Sequence, residues 1–283
     1  MSITLGGVKL EEPHATEQRF AGLIWGPAGS GKTVLASTAP GRKLFLCFDP
    51  DGDMSLADRG DCEVLRLYKV NPITVVGECR KPDPYGLTRY LNEHPLVETI
   101  VFDSMTMFAY MALQEAVNQN KTPRNKVSME NPSQAGYAYR NAIVLGAATN
   151  FLALTAKTNR NIVFTTHERA PEYDDEGNIV NITMILSMNL ANQIGLRINE
   201  VWHLRDTGGL QRTISVRPHS RLTPMKTRMF DADKPQFAWY FDANTLIGEG
   251  IADWWAAWKN GQGKKIALPS ASKDTVTKGG KKK

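Results

Sequence analysis

Eight consecutive residues, Gly26, Pro27, Ala28, Gly29, Ser30, Gly31, Lys32 and Thr33, fit the spacing GxxxxGK(S/T) without a mismatch. Glycines at those positions let the backbone turn so that successive N–H groups point at phosphate oxygens, and a following helix adds its positive N-terminus. A lysine there reaches the β- and γ-phosphates, and the adjoining hydroxyl suits Mg²⁺. The eight residues therefore predict a site for a nucleoside triphosphate, with Lys32 acting on the transferring group and Thr33 as a metal ligand. A chance glycine turn would lack the flanking elements. Here the apolar run Phe20–Trp25 reads as a strand and Val34–Thr38 begins a helical pattern, which is the context the chemistry requires.

Other polar residues stand where such a site needs them. The apolar run Thr99–Phe102 ends at Asp103 and Ser104. An aspartate at the carboxyl end of a core strand can hold hydrated Mg²⁺, so Asp103 joins Thr33 in the metal set; capping the next helix is compatible with that role. The strand after the loop's helix ends Phe48, Asp49, Pro50, Asp51, Gly52, with carboxylates placed to polarise a water. The strand 161–166 ends Thr165, Thr166, His167, Glu168, a polar tip suited to sensing a γ-phosphate. Lys226 and Arg228 are two residues apart and share a face if the segment is extended.

These tips need strands and helices to position them. Lys43–Phe48 and Val64–Leu67 read as further strands, with a proline-broken loop over 71–84. Gly86–Glu93, 104–118 and Ala135–Thr158 read as helices, and 168–178 as an acidic loop. Val201–Leu204, Thr213–Val216 and Phe237–Phe241 are late strands, and Ile251–Lys259 a closing helix. Strands alternating with helices predict an α/β fold, a mostly parallel sheet with helices on both faces. Trp254, Trp255 and Trp258 fall at i, i+1 and i+4, a spacing for packing on the sheet, the alternative being an exposed docking residue.

In order and kind, the pieces resemble the RecA-like ATPase core shared by recombinases, DnaB-type helicases and KaiC, over about residues 18–245. More narrowly, the chain is similar to phage RecA-like ATPases grouped with single-strand annealing proteins. The resemblance implies ATP with Mg²⁺, and antiparallel strands late in the chain. It places Asp51 where the family's catalytic glutamate orients and deprotonates the attacking water, one methylene shorter here; an Asp-Gly turn carboxylate is the alternative. It gives His167 a γ-phosphate contact, against a strand-end histidine held by a backbone carbonyl. Lys226 and Arg228 match a pair inserted into a neighbour's nucleotide site, so hydrolysis would depend on self-assembly as ring or filament; a solvated basic strand end is the alternative. The basic stretch Arg212, Arg217, Arg221, Lys226, Arg228 is assigned mostly to the subunit interface.

The same resemblance implies that the loop after the Asp103 helix faces single-stranded DNA. Lys121, Arg124 and Lys126 lie in 119–133, and Tyr137 follows, able to stack on bases; a solvated charged loop is the alternative. The function implied is ATP-driven annealing or strand pairing in phage-type homologous recombination. A DnaB-type hexameric motor and a KaiC-type nucleotide-gated assembly without DNA are the alternatives.

Composition bounds the rest. The 283 residues carry a net charge of +5, but 259–283 hold eight lysines and one acid, leaving 1–258 near −2. A basic tail on a nearly neutral body is no proof of nucleic-acid binding. The tail, expected to be disordered from Gly261, suits DNA or an acidic partner such as a single-stranded-DNA-binding protein; a solubilising terminus is the alternative. The division expected is one ATPase domain over 1–258 and a lysine-rich tail over 259–283. Three cysteines without a CxxC and histidines without metal-ligand spacing argue against a disulfide framework or a zinc site. No apolar run reaches the roughly 18 residues of a membrane span, and the first residues lack a basic-then-apolar pattern, so neither a span nor a signal peptide is expected. The expectation is a cytoplasmic protein, in the host bacterium if phage-encoded.

Overall fold

The computed structural model describes residues 4–5, 8–9, 18–57, 59–120, 128–208, 211–219, 222, 224–231, 233–242, 245–246 and 248–269. Its elements in chain order begin with a small antiparallel ladder of β1 (Thr4–Leu5) and β2 (Val8–Lys9). Then come β3 (Ala21–Gly26), α1 (Lys32–Ala36), β4 (Arg42–Cys47), β5 (Cys62–Arg66), α2 (Pro72–Cys79), α3 (Leu87–Glu93) and β6 (Val97–Asp103). The mutually packed helices α4 (Met105–Asn120) and α5 (Gln134–Lys157) follow, then β7 (Asn161–His167), the short β8 (Glu172–Tyr173) and β9 (Ile179–Asn181), and α6 (Met188–Arg197). The chain continues through β10 (Glu200–Asp206), β11 (Gln211–Ser215), β12 (Phe230–Asp231), β13 (Gln236–Tyr240), α7 (Ile251–Asn260) and β14 (Ile266–Ala267).

Eight strands form the central sheet in the order β13-β11-β10-β3-β7-β6-β4-β5. The six from β10 to β5 run parallel, and β11 and β13 extend the sheet antiparallel. The expected α/β architecture and late antiparallel strands are therefore present. Parallel strands buried on both faces read as near-continuous apolar runs, and the period of two sends alternate side chains to opposite layers. In β3, Leu23 and Trp25 join one core with Phe102, Phe108 and Phe151 beneath α4 and α5. Ile24 joins the other with Trp202, Phe230 and the tryptophans of α7. Trp254, Trp255 and Trp258 are all buried, with Trp254 edge-on to Trp202 and Trp255 stacked on Trp258 at 4.7 Å. Their spacing serves packing.

Three expectations change. The segment 71–84 is not all loop, because Pro72 occupies the first helical turn of α2, where its missing N–H is no loss, and the Asn71 side chain accepts the Ile73 N–H. The segment 168–178 is partly a hairpin, in which Glu172–Tyr173 pairs with Ile179–Asn181 around an Asp174 turn. The body also continues past 258. The chain leaves α7 through a turn and Ile266–Ala267 pairs in parallel with Phe230–Asp231, while Ile266 and Leu268 pack on the tryptophan core. Disorder expected from Gly261 therefore fails for 261–269; 270–283 lies outside the described residues.

Candidate nucleotide site

The phosphate loop runs from the end of β3 to the start of α1, at the carboxyl edge of the sheet. Ligand crevices of open α/β sheets form at that edge. Gly31 has φ +91°, a left-handed conformation that side chains other than glycine disfavour. Lys32 is buried and donates from Nζ to the loop's own carbonyls, Gly26 O at 3.1 Å and Pro27 O at 2.7 Å. Burial lowers its pKa to about 8, partly offset by the charges of Asp103, Asp49 and Glu168. A cation so desolvated, with carboxylates near and only carbonyls as partners, is poised for a polyanion.

Asp103 ends β6 and is almost fully buried. Thr33 Oγ1 donates to its Oδ2 at 2.7 Å, and the Thr165 hydroxyl donates to its Oδ1. Burial raises the Asp103 pKa against the pull of those hydroxyls, with the neighbouring Asp49 charge raising it further. Asp103 and Thr33, predicted as a metal pair 70 residues apart, thus share one hydrogen bond. Two hard oxygen donors of this kind fit Mg²⁺, which keeps most of its waters beside phosphates.

The two carboxylates after β4 separate. Asp51 is exposed, with φ +56°, at the entry to a one-turn 3₁₀ helix over 52–56. It is Asp49 whose charge bears on both Lys32 and Asp103. Burial raises the Asp49 pKa, opposed by the Ser104 hydroxyl and amide and by Lys32, and its Oδ2 is buried without a hydrogen-bond partner. The Phe48 N–H donates to Asp103 O at 2.7 Å, which fixes the strand end carrying Asp49 beside Asp103.

His167 ends β7 in register with Gly26. Its N–H donates to Thr106 Oγ1 at 2.9 Å. Burial lowers the imidazole pKa, Lys32 lowers it further, and Asp103 opposes both, so the ring stands in the field of the loop. Sequence reasoning missed its neighbour's role. The Glu168 N–H donates to Gly26 O, and the carboxylate meets buried His203 Nε2 at 2.6 Å and Arg205 at 3.7 Å. The His203 ring lies 4.4 Å from that of Trp25, tilted by 58°. No local pattern announced this pair, because 35 residues separate its members.

Lys226 and Arg228 do not share an environment. Lys226 Nζ donates to Ile198 O at 2.7 Å and Gly195 O at 3.2 Å, capping the end of α6 within the same chain. Arg228 is exposed. Its backbone is pinned because buried Glu200 accepts the N–H groups of Arg228 and Met229 at 2.8 and 2.9 Å. Arg212, grouped by sequence with the interface cations, instead lies against Gly31 of its own loop: a Cβ built there would meet Arg212 Nε at 2.4 Å. Of the expected DNA contacts, Lys121, Arg124 and Lys126 lie outside the described residues. Tyr137 is exposed on the first turn of α5, with Arg140 5.0 Å over its ring.

A phosphate loop at the edge of a parallel sheet, with the Asp103 strand separated from the loop strand by β7 alone, defines a P-loop NTPase domain. Residues 19–229 match the family model AAA_24, described as an AAA domain, and the chain belongs to that family. No curated protein matches the chain at a significant level. Among solved structures, the crystal structure of the RadB recombinase overlays at a TM-score of 0.41 and 13% identity, over 79% of this chain and 88% of that one. No described helix is long and apolar enough to cross a membrane.

Proposed function

We propose that the chain hydrolyses ATP with Mg²⁺ at this loop, assembles with copies of itself, and acts on single-stranded DNA in phage-type recombination, promoting annealing or strand pairing. The observation that carries the hydrolytic part is the buried Asp103 held between Thr33 and Thr165, with Lys32 and the half-free Asp49 beside it. Thr33 and Asp103 would hold Mg²⁺, which would supply charge neutralisation on the phosphates. Lys32 exchanges two loop carbonyls for phosphate oxygens, which restores a full partner to its desolvated charge. Asp49, rather than exposed Asp51, orients the attacking water, because its free oxygen already faces the charged cluster. His167, in register with Gly26, reads the occupied loop and passes its state to the segment 168–185, whose Ile185 N–H bonds to His167 O.

Arg228 is the trans cation. It is exposed on a segment made rigid by Glu200, whereas Lys226 is spent on the α6 end. The DNA part rests on the resemblance and on the basic residues Lys121, Arg124 and Lys126 between α4 and α5 in the sequence. The lysine-rich tail adds a sequence-independent tether, for DNA or for an acidic single-stranded-DNA-binding partner.

The test is ATP hydrolysis at fixed low salt, with and without single-stranded DNA, for the wild type, Lys32→Ala and Arg228→Ala. Stimulation by single strands that both variants lose is expected. Hydrolysis indifferent to DNA would remove the recombination reading and favour a nucleotide-gated assembly, and directional unwinding would favour a helicase motor.

A further inference from the structure

Arg212 belongs to β11, where it pairs with Asp206 on one side and Trp239 on the other. Its guanidinium stands 5.7 Å over the Trp239 ring, and it passes against the backbone of Gly31, one residue before Lys32. Nε and Nη1 are buried, and neither has a hydrogen-bond partner. A guanidinium keeps its charge at any ordinary pH, so these are two desolvated donors of fixed positive charge. Buried donors left unpaired call for an explanation.

The same neighbourhood holds other groups in that condition. Ser30 Oγ, in the loop itself, and Asp49 Oδ2 are both buried without partners. The two Arg212 donors and the Ser30 hydroxyl thus stand unpaired along the loop that is shaped for an anion. Nη1 lies on the Cδ side of the guanidinium and the Nε–H on the opposite side, so the two donors suit two separate oxygens of a polyphosphate rather than one bidentate pair. The Trp239 ring gives the guanidinium an apolar support.

We infer that Arg212 is a ligand of the nucleotide's phosphates, supplied in cis by the chain that owns the loop. The inference rests on the nucleotide reading above and deepens it. Lys32 holds the phosphates from the start of α1, and Arg212 closes over them from the late antiparallel hairpin. Because Arg212 acts within one chain, its contribution is present in the monomer, unlike that of Arg228. The close approach also adds a demand on Gly31 beyond its backbone angle, since any side chain would displace the guanidinium.

The experiment measures binding of ADP and of inorganic tripolyphosphate to the full chain, at dilutions where sedimentation shows a monomer. The proteins are the wild type, Lys32→Ala, Arg212→Met and Arg212→Lys. Methionine keeps the packing on Trp239 and removes the donors, while lysine keeps the charge. Arg212→Met is expected to weaken both ligands about tenfold to a hundredfold, in line with charged hydrogen bonds, and Arg212→Lys by less. Wild-type affinity for tripolyphosphate in Arg212→Met, with Lys32→Ala still defective, would overturn the inference and leave the nucleotide reading intact. Loss of the melting transition in both Arg212 variants would overturn it in favour of a structural role. A wild type that binds neither ligand would remove the nucleotide reading itself, and this inference with it.

Discussion

Asp49 and Asp51 are two residues apart and chemically identical, so their difference is one of environment. Asp49 sits among Lys32, Asp103 and Ser104 with one oxygen buried and unpaired, while Asp51 stands in solvent in a left-handed turn. A water-orienting carboxylate contributes about 10²–10⁴ in rate. Asp49→Asn is therefore expected to lower single-turnover hydrolysis by about a hundredfold or more with nucleotide affinity largely kept, and Asp51→Asn by far less. The reverse ranking would return the role to Asp51 and imply that the 49–53 turn rearranges when nucleotide binds.

Among the elements, the β4–β5 edge shows how a charge cluster ties sheet to loop. Asp61 precedes β5 and pairs with Lys43 of β4 and with Arg59, which also donates to the Ser37 hydroxyl and carbonyl after α1. Burial pushes the Asp61 carboxyl up, but the hydrogen bonds and charges of Arg59 and Lys43 outweigh it and hold the group well below the usual carboxylate range. As pH falls through the ordinary value near 3.9, the unfolded chain takes up a proton that the folded chain still refuses. Stability from this group is present above that pH and drains away below it. Denaturant midpoints between pH 2 and 6 should fall more steeply with acid in the wild type than in Asp61→Asn. Parallel slopes in the two proteins would show that the pairing contributes nothing.

For the whole molecule, the decisive feature is that one nucleotide site is built from distant parts of one chain and, in our proposal, completed by another. Lys32→Ala lacks a working site but keeps Arg228; Arg228→Ala lacks the trans cation but keeps its site. Mixing the two inactive variants should restore hydrolysis, since a mixed interface joins an intact loop to an intact Arg228. Recovery in the mixture, read as phosphate release against mixing ratio, would establish the trans contact. A mixture as inactive as its parts would place Arg228 in a different role.

The linear chain by itself pointed to the loop 26–33, the meeting of Thr33 with Asp103, the α/β sheet and most of its elements. Those features are local: a glycine spacing, an apolar run with a polar tip, a period of two or 3.6. Pro72 misled because the same residue that breaks a helix interior also suits a helix start, and only the Asn71 cap distinguishes the two. Tertiary structure decided which of two aspartates faces the loop, turned Lys226 inward to the α6 carbonyls, paired Glu168 with His203, and laid Arg212 over Gly31. Each depends on where a strand or turn carries a side chain after the sheet has formed. The hairpin that brings Arg212 to the loop starts some 170 residues beyond it, and only the pairing of β10 with β3 makes them neighbours.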